Sequence, residues 1–319
     1  MKKYIVAAVA VLGTAGVAAA SLYAGVLDPS WNPFRPAPEI VLAKMLENSK
    51  DVESARTKAT IVATQRQEGK DLFTVSLVID DQNNNSKESQ GTFTASLSAE
   101  GVNYSLTGEY KGNQETVYVR FTTIPAFPLI SLYLGTDADS LKDQWIRIEN
   151  EKSVASEEEE KLINDLVDIL AKSLRVQELP DENVQGQNTY HYRVPLTEEA
   201  LRKLVAKINE FANTLESIEG DSYAEETDYE EIVQLLKDMP IELWIGKKDK
   251  LPYQISIEKD IDMRKLDPGE DGTLSLKIQL QMSEYDKEVK IEFPRDSKTF
   301  EEILGDIYGD IYDYPELDY

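Results

Sequence analysis

Leu274-Ser-Leu-Lys-Ile-Gln-Leu-Gln-Met282 alternates without a break. Leu274, Leu276, Ile278, Leu280 and Met282 share one parity, and Ser275, Lys277, Gln279 and Gln281 share the other. Successive side chains of an extended chain point to opposite faces, so the stretch reads as a strand with one dry and one wet side. Strands of that kind build antiparallel sheets with one solvated face. The same pattern precedes it at Ile241, Leu243 and Ile245, and again at Tyr253, Ile255 and Ile257. Val289, Ile291 and Phe293 predict a last strand after it, and Thr299 to Leu304 a short closing helix.

Far upstream the alternation recurs. Ala55, Thr57, Ala59, Ile61 and Ala63 share a face, as do Phe73, Val75, Leu77 and Ile79. Phe93, Ala95, Leu97 and Ala99 follow, then Val102, Tyr104, Leu106 and Tyr110, then Val117, Val119 and Phe121. Asp80-Asp-Gln-Asn-Asn-Asn85, Glu100-Gly101 and Lys111-Gly-Asn113 separate them with turn chemistry, which predicts a meander of neighbouring strands. Trp145, Arg147 and Glu149 alternate with Ile146 and Ile148 in a further short strand. Pro125 to Gly135 is apolar but broken by Pro125 and Pro128, so it suits neither a strand nor a helix.

Helical spacing breaks the alternation in three places. Pro38 to Asp51 carries Leu42, Met45 and Leu46 on one stripe, with proline in the first turn. Ser156 to Leu174 opens on a Ser156/Glu159 capping box and carries Leu162, Ile163, Leu166, Leu170 and Leu174. Thr197 caps a third helix with Leu201, Leu204, Val205, Ile208, Phe211 and Leu215, and a short helix opens near Asp228. Residues 175–180 and 188–194 read as a strand pair between the second and third helices. The expected class is α+β.

Composition narrows the function. The chain has 319 residues, 34 Lys+Arg against 59 Asp+Glu, a formal net charge of −25, one histidine and no cysteine. Thiolate metal sites, disulfides, a Cys nucleophile and a thioether lipid anchor are excluded. A multi-His metal centre is excluded too, and the acidity disfavours nucleic acid. No metal site, cofactor or catalytic residue is assigned. Asp267-Pro-Gly-Glu-Asp-Gly272 hints at a calcium loop, but Ile278 stands where a bidentate Glu is needed, so it reads as a hairpin turn. His191 lies opposite Tyr190 and Tyr192, on the wetter face, with no nucleophile elbow beside it.

The amino terminus sets the compartment. Lys2 and Lys3 precede 24 uncharged residues, Tyr4 to Leu27. As a helix they reach roughly 36 Å, against a bilayer core of about 30 Å. Two readings fit: an uncleaved membrane anchor, or a signal peptide cut after Ala18-x-Ala20. Either places the rest of the chain outside the cytoplasm. Residues 28–37 form a Pro-rich linker, residues 38–304 the folded domain with an acidic helical insert at 197–238, and residues 305–319 an acidic, Tyr-rich tail.

Three stretches carry a resemblance. Val41 to Ala55, ending in Lys50-Asp-Val-Glu-Ser-Ala55, is similar to the opening helix of the LolA-like and LppX-type lipoprotein-carrier folds of bacterial envelopes. Glu182-Asn-Val-Gln-Gly-Gln-Asn-Thr-Tyr-His-Tyr-Arg-Val194 resembles their hairpin after the central helix. Glu242-Leu-Trp-Ile-Gly-Lys-Lys-Asp-Lys-Leu-Pro-Tyr253 resembles their strand-turn-strand, with Gly246 where Asp is usual. The resemblance spans about residues 38–304. It implies a strongly curved antiparallel sheet, a half-open barrel, whose concave side is covered by helices and holds acyl chains or a lipidated protein. Such a chamber would be lined by Phe73, Val75, Leu77, Phe93, Leu97, Tyr104, Leu106, Val119 and Phe121, with Phe127 and Leu132 at its lip. The expected function is a non-enzymatic, monomeric binder of lipid or lipidated protein. The alternative is an envelope interaction module with a filled core.

Overall fold

A computed structural model describes residues 36–84, 87–99, 101–125, 141–149, 162, 165, 169, 176–195, 197–219, 229–237, 239–265, 269–299 and 302–303. The elements run α1 (Pro38–Asn48), β1 (Ala55–Gln67), β2 (Lys70–Asn83), β3 (Ser89–Ala99), β4 (Val102–Gly112), β5 (Thr116–Thr123) and β6 (Trp145–Glu149). After these come β7 (Gln177–Val184), β8 (Gln187–Pro195), α2 (Glu198–Glu219), α3 (Tyr229–Leu236), β9 (Pro240–Gly246), β10 (Pro252–Asp262), β11 (Thr273–Ser283) and β12 (Lys298–Thr299). Leu162, Asp165 and Ile169 are helical, and Leu162 and Ile169 pack on the core.

All twelve strands form one open, curved sheet in the order β12-β6-β5-β4-β3-β2-β1-β11-β10-β9-β8-β7. Two meanders meet where β1 pairs with β11, Arg56 opposite Ser283 and Arg66 opposite Thr273. Register shifts at Gln65/Arg66, Thr107/Gly108, Leu179/Glu182 and Pro252/Gln254 interrupt the ladders. Such irregularities bend a strand and increase its local twist.

The alternation decides what each face does. Opposed residues of an antiparallel pair share a face, so rows can be followed across the sheet. One row runs Tyr192, Leu243, Ile255, Leu280, Ala59, Ile79, Phe93, Gly108, Phe121. The next runs Val194, Ile241, Ile257, Ile278, Ile61, Leu77, Ala95, Leu106. We call this apolar side the inner face. The helices lie on it: Val41, Leu42 and Met45 of α1, Leu201, Leu204 and Val205 of α2, and Val233 and Leu236 of α3 join the strand residues in one core. Thr197 caps α2 as its sequence predicts, the Ala200 amide donating to Oγ1 at 3.2 Å.

Four expectations need correction. Residues 287–294 are not a strand. Both sides of β11 are already occupied, by β1 and β10, so Val289, Ile291 and Phe293 cannot fold back on the strand they follow. The segment instead leaves β11 past Ser54, where the Asp286 amide donates to the Ser54 carbonyl at 2.9 Å. It then meets the outer face, with Lys111 Nζ donating to the Glu292 carbonyl (2.6 Å) and the Phe293 ring 5.8 Å from that of Tyr118. Lys298 and Thr299 finish by pairing with β6, in parallel, so the sheet is not purely antiparallel. Asp80-Asp81 are not turn residues, because β2 continues to Asn83. His191 is on the outer face as expected but is not wet; it is 5% exposed.

Candidate functional site

Inner-face burial divides along the sheet. Under the helices, β8, β9, β10 and β11 are filled: Tyr192, Ile245, Ile255, Ile257 and Ile278 are each at most 2% exposed. Across β2 to β6, apart from Ile146, the same face carries apolar residues that are only half-buried. Val75 is 42% exposed, Val102 48% and Ile148 49%. Exposed large apolar side chains are unremarkable singly; here Val75 and Val102 lie in adjacent rows, continuous with the half-buried Phe73, Leu77, Leu97 and Tyr104, whereas Ile148 lies at the far end of the face.

The nine residues expected to line a chamber all lie on this face. Val75, Leu97 and Tyr104 form one row, Leu77 and Leu106 share the next, and Phe93 and Phe121 a third. Phe73 and Val119 lie on the same parity. Phe127 and Leu132 fall outside the described residues, as do the aliphatic side chains of α2 beyond Lys207 that the sequence put on its stripe. At the β5–β6 end Ile146 packs with Leu141 and Ile303, against Phe121 and Ile124.

Two glycines shape the face. A Cβ at Gly108 would come within 2.4 Å of the Phe93 ring and 2.6 Å of the Arg120 carbonyl. Its absence lets Phe93 lie across β4 and meet Phe121 edge to face, 6.0 Å between centroids. A Cβ at Gly91 would come within 2.8 Å of the Tyr110 hydroxyl. Tyr110 therefore crosses β3 and donates to Asp81 Oδ1 at 2.6 Å. Burial pushes the Asp81 carboxyl above the usual carboxylate range, against the pull of the Tyr110 bond, and the neighbouring Asp80 charge adds to the rise. Burial and the Asp81 bond push the Tyr110 phenol up. Residue patterning missed this pair because Asp81 was assigned to a turn. The signal was present, since Asp81 continues the parity of Phe73 through Ile79.

The outer face is polar and self-compensated. Arg56 holds Asp80 through two bonds, 2.7 and 2.8 Å, and Arg120 holds Glu109 at 2.7 Å. Arg56, Asp80 and Glu109 line a groove of about 400 Å³ with Gln82, Gln90, Gly91, Thr92, Tyr110 and Lys111. At the other end His191 stacks on Trp244 (4.2 Å, 17°) between two carboxylates: Nε2 lies 3.1 Å from Glu242 and Nδ1 3.4 Å from Glu182. The cluster reads as a tie between β7, β8 and β9. Among the described residues no group of His, Asp and Glu is placed to hold a metal ion.

No family model matches the sequence, and no curated protein matches it. Solved structures do. Lipoprotein LppX of Mycobacterium tuberculosis is 14% identical over 80% of this chain and 97% of its own, with a TM-score of 0.39. LprF of Mycobacterium bovis is 11% identical over 81% and 98%, with a TM-score of 0.40. A putative outer membrane lipoprotein-sorting protein domain of Vibrio parahaemolyticus is 8% identical over 77% and 92%, at 0.18. The resemblance drawn from the sequence reappears here. At TM-scores below 0.5 these are partial likenesses, and what this chain does is read from its own residues.

Proposed function

We propose that this protein is a non-enzymatic binder of acyl chains, carried by lipids or lipidated proteins, on the inner face of β2 to β5. One observation carries the reading. A single apolar face is filled under α1, α2 and α3, yet stays half-exposed over most of β2 to β6, Ile146 excepted, with Val75, Val102 and Ile148 open. Ligand sites are apolar and concave, with few polar groups. Small neighbours on the same face, such as Ala95 and Ala99, leave room beside the larger side chains. Phe73, Val75, Leu77, Phe93, Leu97, Tyr104, Leu106, Val119 and Phe121 are the lining in this reading.

The body works outside the cytoplasm. Residues 4–27 either hold it at the membrane or are removed on export, and residues 28–37 space it from the bilayer. Among the described residues no helix is long and apolar enough to cross a membrane, and residues 4–27 are not among them. The acidic surface keeps the body soluble and away from anionic headgroups. The packed interior at β8 to β11 favours the second reading, an envelope interaction module that takes no ligand.

Native mass spectrometry of the full chain, before and after delipidation, separates the two. A stoichiometric lipid adduct, lost on delipidation and regained on incubation with envelope lipids, is expected. Leu77→Ser with Leu106→Ser should weaken uptake at least tenfold while the fold persists. A mass that stays free of lipid after incubation overturns the proposal in favour of the interaction module.

A further inference from the structure

The inner face has one charged group where it is open. Among the paired residues of β1 (55–65), β2 (73–83), β3, β4 and β5, every inner-face side chain is uncharged except Asp81. Asp81 stands between Thr57 and Gly91, two small residues, and one row from Ile79 and Phe93. Its Oδ1 takes the Tyr110 hydroxyl. An oxygen acceptor thus sits at the margin of an apolar surface, positioned by a phenol that reaches it only because Gly91 has no side chain.

We infer that Asp81 selects the head group: the inner face takes acyl lipids whose head is uncharged and carries hydroxyl donors, and rejects those ending in a free carboxylate. The inference rests on the acyl-binding reading and deepens it. A hydroxyl donates to a carboxylate oxygen, and such charge-assisted bonds are short and strong. A carboxylate head meets a like charge where water is scarce and the paired residues of β1 to β5 place no cation on this face; Lys259, on β10, is engaged with the Lys237 carbonyl. Selectivity of this kind comes from the repulsive element as much as from the attractive one. Burial already strains the ionised form of Asp81, which makes an additional donor favourable there.

The test uses two lipids of one chain length, 1-monolauroylglycerol and laurate, titrated at pH 8 into the full delipidated chain. Monolauroylglycerol should bind at least tenfold tighter. Asp81→Asn should shrink that ratio by about tenfold, chiefly by tightening laurate, a gain that misfolding does not produce. Asp80→Asn removes an equal charge from the outer face and should leave the ratio as it was. Equal binding of both lipids by the natural chain overturns the inference. So does an unchanged ratio in Asp81→Asn, or an equal shift in Asp80→Asn. Binding of neither lipid overturns the acyl-binding reading itself and takes this inference with it.

Discussion

At the scale of single residues, absence of a side chain does as much here as presence. Gly108 and Gly112 both lie on the inner face of β4, paired with Phe93 and Ser89 of β3. Only Gly108 has an aromatic ring and a backbone carbonyl in the space a Cβ would take; at Gly112 the nearest atom is 3.6 Å away. Gly108→Ala should therefore cost ~1–3 kcal/mol by overpacking. Gly112→Ala should stay within about 0.5 kcal/mol. Urea denaturation of the two variants reads the difference, and equal costs would refute the role given to the Phe93 ring. Gly108 did not announce itself in the sequence, and Gly112 read only as part of the Lys111-Gly-Asn113 turn, whereas β4 runs through it. Each follows the parity of its strand, but which ring would lie over it depends on a neighbour set by register, not by spacing.

At the scale of elements, the outermost strand is tied down by charge. β7 carries Pro180 and three acids, Glu178, Asp181 and Glu182, features that blunt a free sheet edge. Glu182 accepts from Trp244 Nε1 at 2.9 Å, while Glu242 receives Arg193 at 2.6 Å and His191 at 3.1 Å. Burial pushes the Glu242 carboxyl up, but the bonds from Arg193 and His191 outweigh it and hold the group below its ordinary range. A lowered acid contributes stability that is complete above its unfolded pKa, about 4.3, and lost as pH falls through the folded value. Glu242→Gln should thus cost ~1–3 kcal/mol near pH 7. The gap to the natural chain should close as the medium is acidified below the ordinary carboxylate range. Melting temperatures across that range check it; a gap independent of pH would mean that Glu242 acts by shape alone. Alternation placed His191 on the outer face correctly. Its burial was illegible, because Trp244 and Glu242 arrive from a strand beyond two helices.

At the scale of the molecule, one sheet serves two purposes, and energetics should show the division. Ile257 is 1% exposed in the filled half and Val75 is 42% exposed in the open half. Ile257→Ala should cost ~2–5 kcal/mol. Val75→Ser should cost well under half of that and act instead on lipid uptake, so paired denaturation and uptake measurements place each residue on its side. The strand order within each meander was readable from period-two patterning and turns. The last strand was misread for a reason of supply: alternation says that a segment can pair, not that a partner is left. The division of the inner face was not legible either, since Leu77 and Ile278 look alike in a pattern, yet Ile278 is buried in the core that α1 to α3 share and Leu77 stays half-buried.

The seam between β1 and β11 has a consequence in time. Arg56 pairs with Ser283 and Arg66 with Thr273, so the middle of the sheet joins segments from distant parts of the chain. Folds dominated by such non-local pairings have high contact order and fold slowly. As the polypeptide emerges amino end first, β1 waits with one flank unpaired until β11 is available. Through that interval one edge of β1 has no partner, and a chaperone that shields β1 would govern the yield of folded molecules more than any contact in the finished one.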